Sequence, residues 1–194
     1  MSEYAEFRAD TVEPEPLLRA LACAVGDGKA TYVSGPITTG RHFLDWLVTD
    51  GEAIANKDAY ASRLRAEVVE PNERRIRAVA EAARRRRVRA VIEPASLRVP
   101  QWSQTDYLSF WLRVIDQFAE EMIVVNGWQY SIGCVAEFRH AAARGIPVMD
   151  EDDVAVSLAT GRRLVAEGLA NMEELGRRSD FVANMVKVLR AYDL

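Results

Sequence analysis

Glu137 is the residue whose placement most needs a chemical reason. It stands in NGWQYSIGCVAEFRHAAARGIPVM (residues 126–149), where an apolar run turns through a glycine and becomes a short helix. On that helix Cys134, Phe138, Ala141 and Ala142 form an apolar stripe, with Glu137 at its margin. A carboxylate partly withdrawn from water holds its proton more tightly unless it is paired. Such a group can serve as a nucleophile or as a general acid or base. The competing reading is a surface glutamate that favours the helix start or pairs with His140 or Arg144.

Other residues in this stretch suggest a ligand. Ser131 and Gly133 lead into the helix, and free N–H groups at a helix start attract an anion such as a phosphate. Equally, Ser131 could only cap the helix and Gly133 only permit the turn. Asn126 and Trp128 lie just upstream, and Trp128 could wall a base pocket or simply pack as core or rim. A second loop, SGPITTGR (residues 34–41), offers Ser34, Gly35, Pro36 and Arg41, whose amides and guanidinium could cradle phosphate. It has neither the GK[ST] of a P-loop nor a GxGxxG pattern, and a plain loop remains the alternative.

Several other chemistries find no support. His42 and His140 are not spaced as a metal pair, and Cys23 and Cys134 lie far apart in no CxxC motif. Neither a metal nor a cofactor is expected. No Ser-His-Asp or Cys-His arrangement is defensible. The run Arg84–Arg87 closes a helix, where positive charge complements the dipole, and reads as a solvated end.

The elements that must position these residues alternate. Residues 14–28 read as a helix, KATYVSGPI as a strand ending in a tight turn, and TTGRHFLDWL as a helix with Phe43, Leu44 and Leu47 on one side. Residues 48–70 read as loop plus helix. NERRIRAVAEAARRRR is an amphipathic helix with Ile76, Val79, Ala80 and Ala83 in one stripe. VRAVIEPASL gives a second strand stopped by Pro94. TDYLSFWLRVIDQFAEE gives a helix with Leu108, Trp111, Leu112, Ile115 and Phe118 inside. EMIVVNGW is a third strand, CVAEFRHAAARG a helix and IPVM a fourth strand. Two further helices are expected from about residue 154, with Gly161, Gly168 and Gly176 as punctuation.

Strands joined by helices require crossovers, hence a flavodoxin-like or Rossmann-like α/β fold. Its sheet would be parallel, of four to five strands, with helices on both faces. Ligands in such sheets bind at the carboxyl ends of the strands, where the strand order reverses. Three regions are expected: an N-terminal helical extension (1–29), the α/β domain (30–150) and a C-terminal helical extension packed on it (151–194).

The composition bounds the partners. With 49% apolar and 28% charged residues among 194, the chain reads as an ordinary globular protein. A net charge of −4 argues against binding polymeric nucleic acid. The acidic start without an apolar core, and the lack of any long apolar run, point to no signal peptide, no membrane contact and a cytoplasmic location.

YVSGPITTG, VIEPASL and VVNGWQYSIGCVAEFRHAAARGIPV together resemble the nucleoside 2-deoxyribosyltransferase-like superfamily. The likeness is to its phage and bacterial branch, related to nucleotide N-glycosidases, and covers about residues 30–150. It implies an enzyme that cleaves the base–sugar bond of a nucleoside or nucleoside 5′-monophosphate, as hydrolase or transferase. Glu137 would be the nucleophile or would stabilise the oxocarbenium-like state. Ser34, Gly35, Pro36, Arg41, Asn126, Trp128, Ser131 and Gly133 would bind the substrate and its phosphate. It also implies a homodimer or higher even oligomer, for which the apolar helix TDYLSFWLRVIDQF is a candidate surface. One departure stands out. The aspartate that relatives use to assist the leaving base falls here at Leu112 or Arg113, with Asp106 and Asp116 as possible substitutes. Two alternatives follow: a nucleotide-binding or sensing module without turnover, and a glycohydrolase acting on a dinucleotide cofactor.

Overall fold

A computed structural model describes residues 14–191 except 27 and 178. The first thirteen residues of the expected N-terminal extension and the last three of the C-terminal one therefore lie outside the described residues. Four parallel strands form one sheet: β1 (Ala30–Ser34), β2 (Ala90–Ile92), β3 (Ala119–Val124) and β4 (Val148–Asp150), in the order β2-β1-β3-β4. All three strand pairings run parallel, as the crossover connections require. The chain leaves β1 in one direction to reach β2 and later returns past it to β3. The reversal therefore lies between β1 and β3.

Alternation along β1 feeds two cores. Val33 packs with Ile76, Ala80 and Ala83 of α4 (Glu70–Arg86), which covers one face of the sheet. Tyr32 belongs to the larger core on the other face, with α2 (Arg41–Thr49), α5 (Gln104–Phe118) and α6 (Ile132–Ala143). Covered on both sides, all five β1 residues are buried. α1 (Pro14–Val25) packs on α5, where Arg113 meets Glu15 at 2.8 Å. Residues 48–70 resolve into a short 3-10 turn, α3 (Lys57–Leu64) and a π turn (Arg65–Val69) that runs into α4.

Three sequence expectations are corrected. In α5 the fully buried residues are Phe110, Trp111, Val114, Ile115 and Phe118, while Leu108 and Leu112 are only half-buried. The helix is rotated so that its aromatic edge meets the sheet, with Phe110 and Trp111 in edge contact at 4.9 Å. It also stops earlier than expected, because Ala119 already pairs with Ala30 and the acidic pair Glu120–Glu121 belongs to β3. Finally, Gly161 and Gly168 punctuate nothing. Both lie inside α7 (Leu158–Gly176), which with α8 (Asp180–Ala191) packs over α6.

Those interior glycines have a packing reason. A Cβ on Gly161 would stand 2.1 Å from Cζ of Phe138, and one on Gly168 3.3 Å from Cγ of Gln129. The missing side chains let α7 approach Phe138 of α6 and the turn Trp128–Tyr130 that precedes it. This explains why α6 buries Val135 and Ala136 as well as its sheet-facing side: it lies between the sheet and α7–α8. No helix among the described residues is long and apolar enough to cross a membrane.

Candidate active site

The sheet's carboxyl edge brings Glu137 to β1. The Tyr32 hydroxyl donates to Oε1 at 2.9 Å and the Ser34 hydroxyl to Oε2 at 2.5 Å. Tyr32 and Ser34 lie two apart on one strand and so face the same side, over which α6 crosses. Glu137 is 6% exposed. The surface reading fails: His140 and Arg144 instead hold Asp116, at 2.7 and 3.2 Å.

Burial sets the electrostatics. It raises Glu137 to about 7, against the opposing pull of the Ser34 and Tyr32 hydrogen bonds. The phenol of Tyr32 is pushed well above its ordinary value, first by burial and then by the Glu137 charge, so it stays a donor. Cys134 is raised to about 12 by burial and by Glu137, which keeps the thiol neutral and a poor nucleophile. Among the described residues the carboxylate is held by two hydroxyls and no cation, and it is close to half-ionised at neutral pH.

The SGPITTG loop links this cluster to open space. Beyond Ser34, Asn72 of α4 donates to the carbonyls of Ile37 and Thr39 at 3.0 and 3.3 Å. Thr39 in turn donates to the Ser131 hydroxyl at 3.0 Å. Gly40 closes the loop at φ 93°, where a Cβ would come within 2.6 Å of Pro36. Beside the loop is a polar cavity of about 270 Å³ whose lining includes Pro36, Arg41, His42, Asn72, Arg75 and Asn126. Arg41 reaches Asp45 at 2.9 Å and lies 5.8 Å from the centre of the Tyr130 ring. Glu137 does not line this cavity.

The remaining expected site residues separate. Ser131 occupies the N-cap position of α6 without a side-chain capping bond, so capping does not explain it. Gly133 has no positive φ, and a Cβ there would meet nothing within 4 Å. Neither backbone conformation nor packing calls for a glycine at that turn. Gly35 is required by packing, since a Cβ would stand 2.6 Å from Ile76 and 3.1 Å from Val125. Trp128 packs as core: it is 3% exposed and its ring lies 4.6 Å from that of Phe138.

On α5 neither aspartate replaces the one absent at Leu112 or Arg113. Asp106 is engaged in a capping box with Ser103, and Asp116 is held by His140 and Arg144. Sequence reasoning missed Tyr32, although the alternation in TYVS places it on the same face as Ser34. Among the described residues no three His, Cys, Asp or Glu side chains gather as metal ligands. No protein-family model, curated protein or solved structure matches the chain.

Proposed function

We propose that the chain is an N-glycosidase acting on a nucleoside or nucleoside 5′-monophosphate, with Glu137 as its catalytic carboxylate. The observation that carries this reading is the hydroxyl-held, cation-free Glu137 at the carboxyl edge of β1, beside the strand-order reversal. An ion-paired glutamate would have its charge neutralised. This one keeps lone pairs for an electron-poor carbon and is tuned to ionise near neutrality. The resemblance of SGPITTG and GWQYSIGCVAE to the nucleoside 2-deoxyribosyltransferase-like superfamily supports the same role.

In the reaction the C1′–N bond breaks and its electron pair leaves with the base. Glu137 stabilises the oxocarbenium-like carbon or bonds to it. Water then completes a hydrolysis, or a second base a transfer. The hydroxyls of Tyr32 and Ser34 fix both carboxylate oxygens, so little reorganisation is needed as charge develops. Incubation with a panel of nucleosides and 5′-monophosphates, followed by chromatography for free base, tests the activity.

A second reading is favoured by one observation. Glu137 is 6% exposed and absent from the open cavity, so a nucleotide held there could be sensed without turnover. Binding by wild type without any release of base would establish that reading instead.

Phosphate recognition is separable from chemistry. If Ser131 and the open turn at Gly133 hold a 5′-phosphate, Ser131→Ala should weaken monophosphates by about 1.5–3 kcal/mol, the scale of a hydrogen bond to a charged group. The free nucleoside should bind as before. Equal losses for both ligands, measured by calorimetry, would exclude the phosphate role. Association into a dimer or larger even oligomer, which the resemblance implies, would have to use a surface other than the buried face of α5. A monomeric mass by light scattering at micromolar concentration would rule it out.

A further inference from the structure

Asn72 and Glu73 stand where the pattern of α4 calls for apolar residues. They precede Ile76 by four and three positions and so continue the stripe that Ile76, Ala80 and Ala83 bury. Both are buried, at 8% and 4% exposed. Glu73 is matched by Arg77 and Arg98, at 3.1 and 2.6 Å. Asn72 instead spends its Nδ2 on the carbonyls of Ile37 and Thr39, in the loop after β1.

Pro71 explains how α4 comes to begin at this spot. It lacks the N–H that the carbonyl of Glu67, four residues back, would accept in an α-helix. The helix opens there into the π turn Arg65–Val69, and the Glu67 carbonyl accepts from the His42 ring at 2.6 Å. The start of α4 is thereby fixed to α2, with Asn72 aimed at the loop.

On its other side the loop is tied to α6. Ser34, at its start, donates to Glu137, and Thr39, near its end, donates to Ser131 at 3.0 Å. Towards the loop the Ser131 oxygen is therefore an acceptor, and its own proton is turned the other way. The acceptor it reaches there is the thiol of Cys134, a weak one. An anionic oxygen at the start of α6 would take that proton in its place.

We infer that Asn72 is a positioning residue for phosphate recognition: it fixes Thr39, and Thr39 orients the Ser131 hydroxyl to donate to the 5′-phosphate. This rests on the nucleotide reading above and adds to it a polar chain, Asn72–Thr39–Ser131, that crosses from one helical layer to the other. Neither Asn72 nor Thr39 has to touch the phosphate. Removing either leaves Ser131 in place but lets its proton turn back towards the loop.

The test uses the full chain in the Glu137→Gln background, which prevents turnover during titration. Adenosine, guanosine, cytidine and uridine are the probes, each as the nucleoside and as its 5′-monophosphate. Calorimetry gives the ratio of the two affinities for the bases that bind. Asn72→Ala and Thr39→Val should each cut that ratio at least about fivefold, the scale of one net hydrogen bond, and leave the nucleoside within about twofold. Thr39→Ser, which keeps the hydroxyl, should retain the ratio. In Ser131→Ala there is no hydroxyl to orient, so adding Asn72→Ala or Thr39→Val should change the ratio by less than about twofold. A residue that merely stabilised the loop would weaken both ligands, or lower the ratio equally with and without Ser131. Either result overturns the inference. If Asn72→Ala does not fold, Asn72→Asp, of equal size and without the N–H donors, takes its place. Thr39→Val without a phosphate-specific loss is decisive against the inference on its own. Failure of the glycosidase reading looks different: the ratios respond as stated, but wild type releases no base. If no probe binds, the nucleotide reading and the inference fall together.

Discussion

Glu137→Gln is expected to lower base release at least about a hundredfold, the low end for a positioned acid, base or nucleophile, while the protein remains folded. Glutamine keeps the shape, its carbonyl can still accept from Tyr32, and its NH₂ can donate to Ser34. What it loses is the negative charge. In the wild type, base release should rise as pH passes through about 7, where the carboxyl ionises. Stability should move the opposite way. Below the ordinary carboxyl value of 4.5 the group is protonated in both states; between there and about 7 only the unfolded chain gives up its proton. The wild type should therefore lose stability across that window, by about 3 kcal/mol at most at 1.36 kcal/mol per unit. Glutamine escapes this loss, so the variant should come closest to the wild type near pH 4 and exceed it at pH 8. Denaturant titrations at the two pH values check this, and parallel behaviour of the two proteins would mean that Glu137 carries no buried charge. Wild-type rates of base release from the variant would sink the mechanism.

Gly161→Ala is expected to destabilise the protein although alanine is the better helix former. The gain in helix propensity is about 1 kcal/mol. Against it stands a Cβ placed 2.1 and 2.3 Å from Cζ and Cε1 of Phe138, a ring that is fully buried and packed on Trp128. Overpacking of this kind costs typically 1–3 kcal/mol, occasionally more. Contacts this short call for the upper end, so a net loss of about 1–3 kcal/mol follows, or roughly 2–12 °C in Tm for a chain of this size. Phe138→Leu, which shortens the opposing side chain, should make the double variant more stable than the two single losses added together. Calorimetric melting of the four proteins measures the coupling. Gly161→Ala melting with the wild type would show that α7 and α6 are not so close.

The strands were legible because each is a short apolar run bounded by glycine or proline, and the helices between them forced the parallel topology. Sequence could not fix what depends on a neighbour. The phase of α5 was misplaced because Leu108 and Phe110 are equally apolar, and only the sheet decides which is covered. Gly161 looked like an interruption because its reason, the ring of Phe138, comes from another helix. Trp128 was open to either a ligand or a core reading, and its stacking on Phe138 settles it as core. At the site, Glu137 and Ser34 could be named in advance, since both follow strand signals. Their hydrogen bond joins residues more than a hundred positions apart and was not readable.

The central position of β1 also has a consequence for how the protein is made. Ala30 meets Ala90, and Ser34 meets Val124, so the strand that holds the site together is synthesised long before either of its neighbours. At typical synthesis rates of 5–20 residues per second, β1 waits roughly 5–20 s for its second partner. During that interval ATYVS presents unpaired amides and carbonyls on both edges, in a segment whose every residue is destined for the interior. Contacts of this sequence separation make folding slow and keep the growing chain open to association with other chains. The helix α4, complete by Arg86, can shelter only one face of the waiting strand. On the other face α2, complete by Thr49, can cover part of the strand at once, but the cover by α5 and α6 comes only after residue 104, so both strand edges stay open until β2 and β3 emerge.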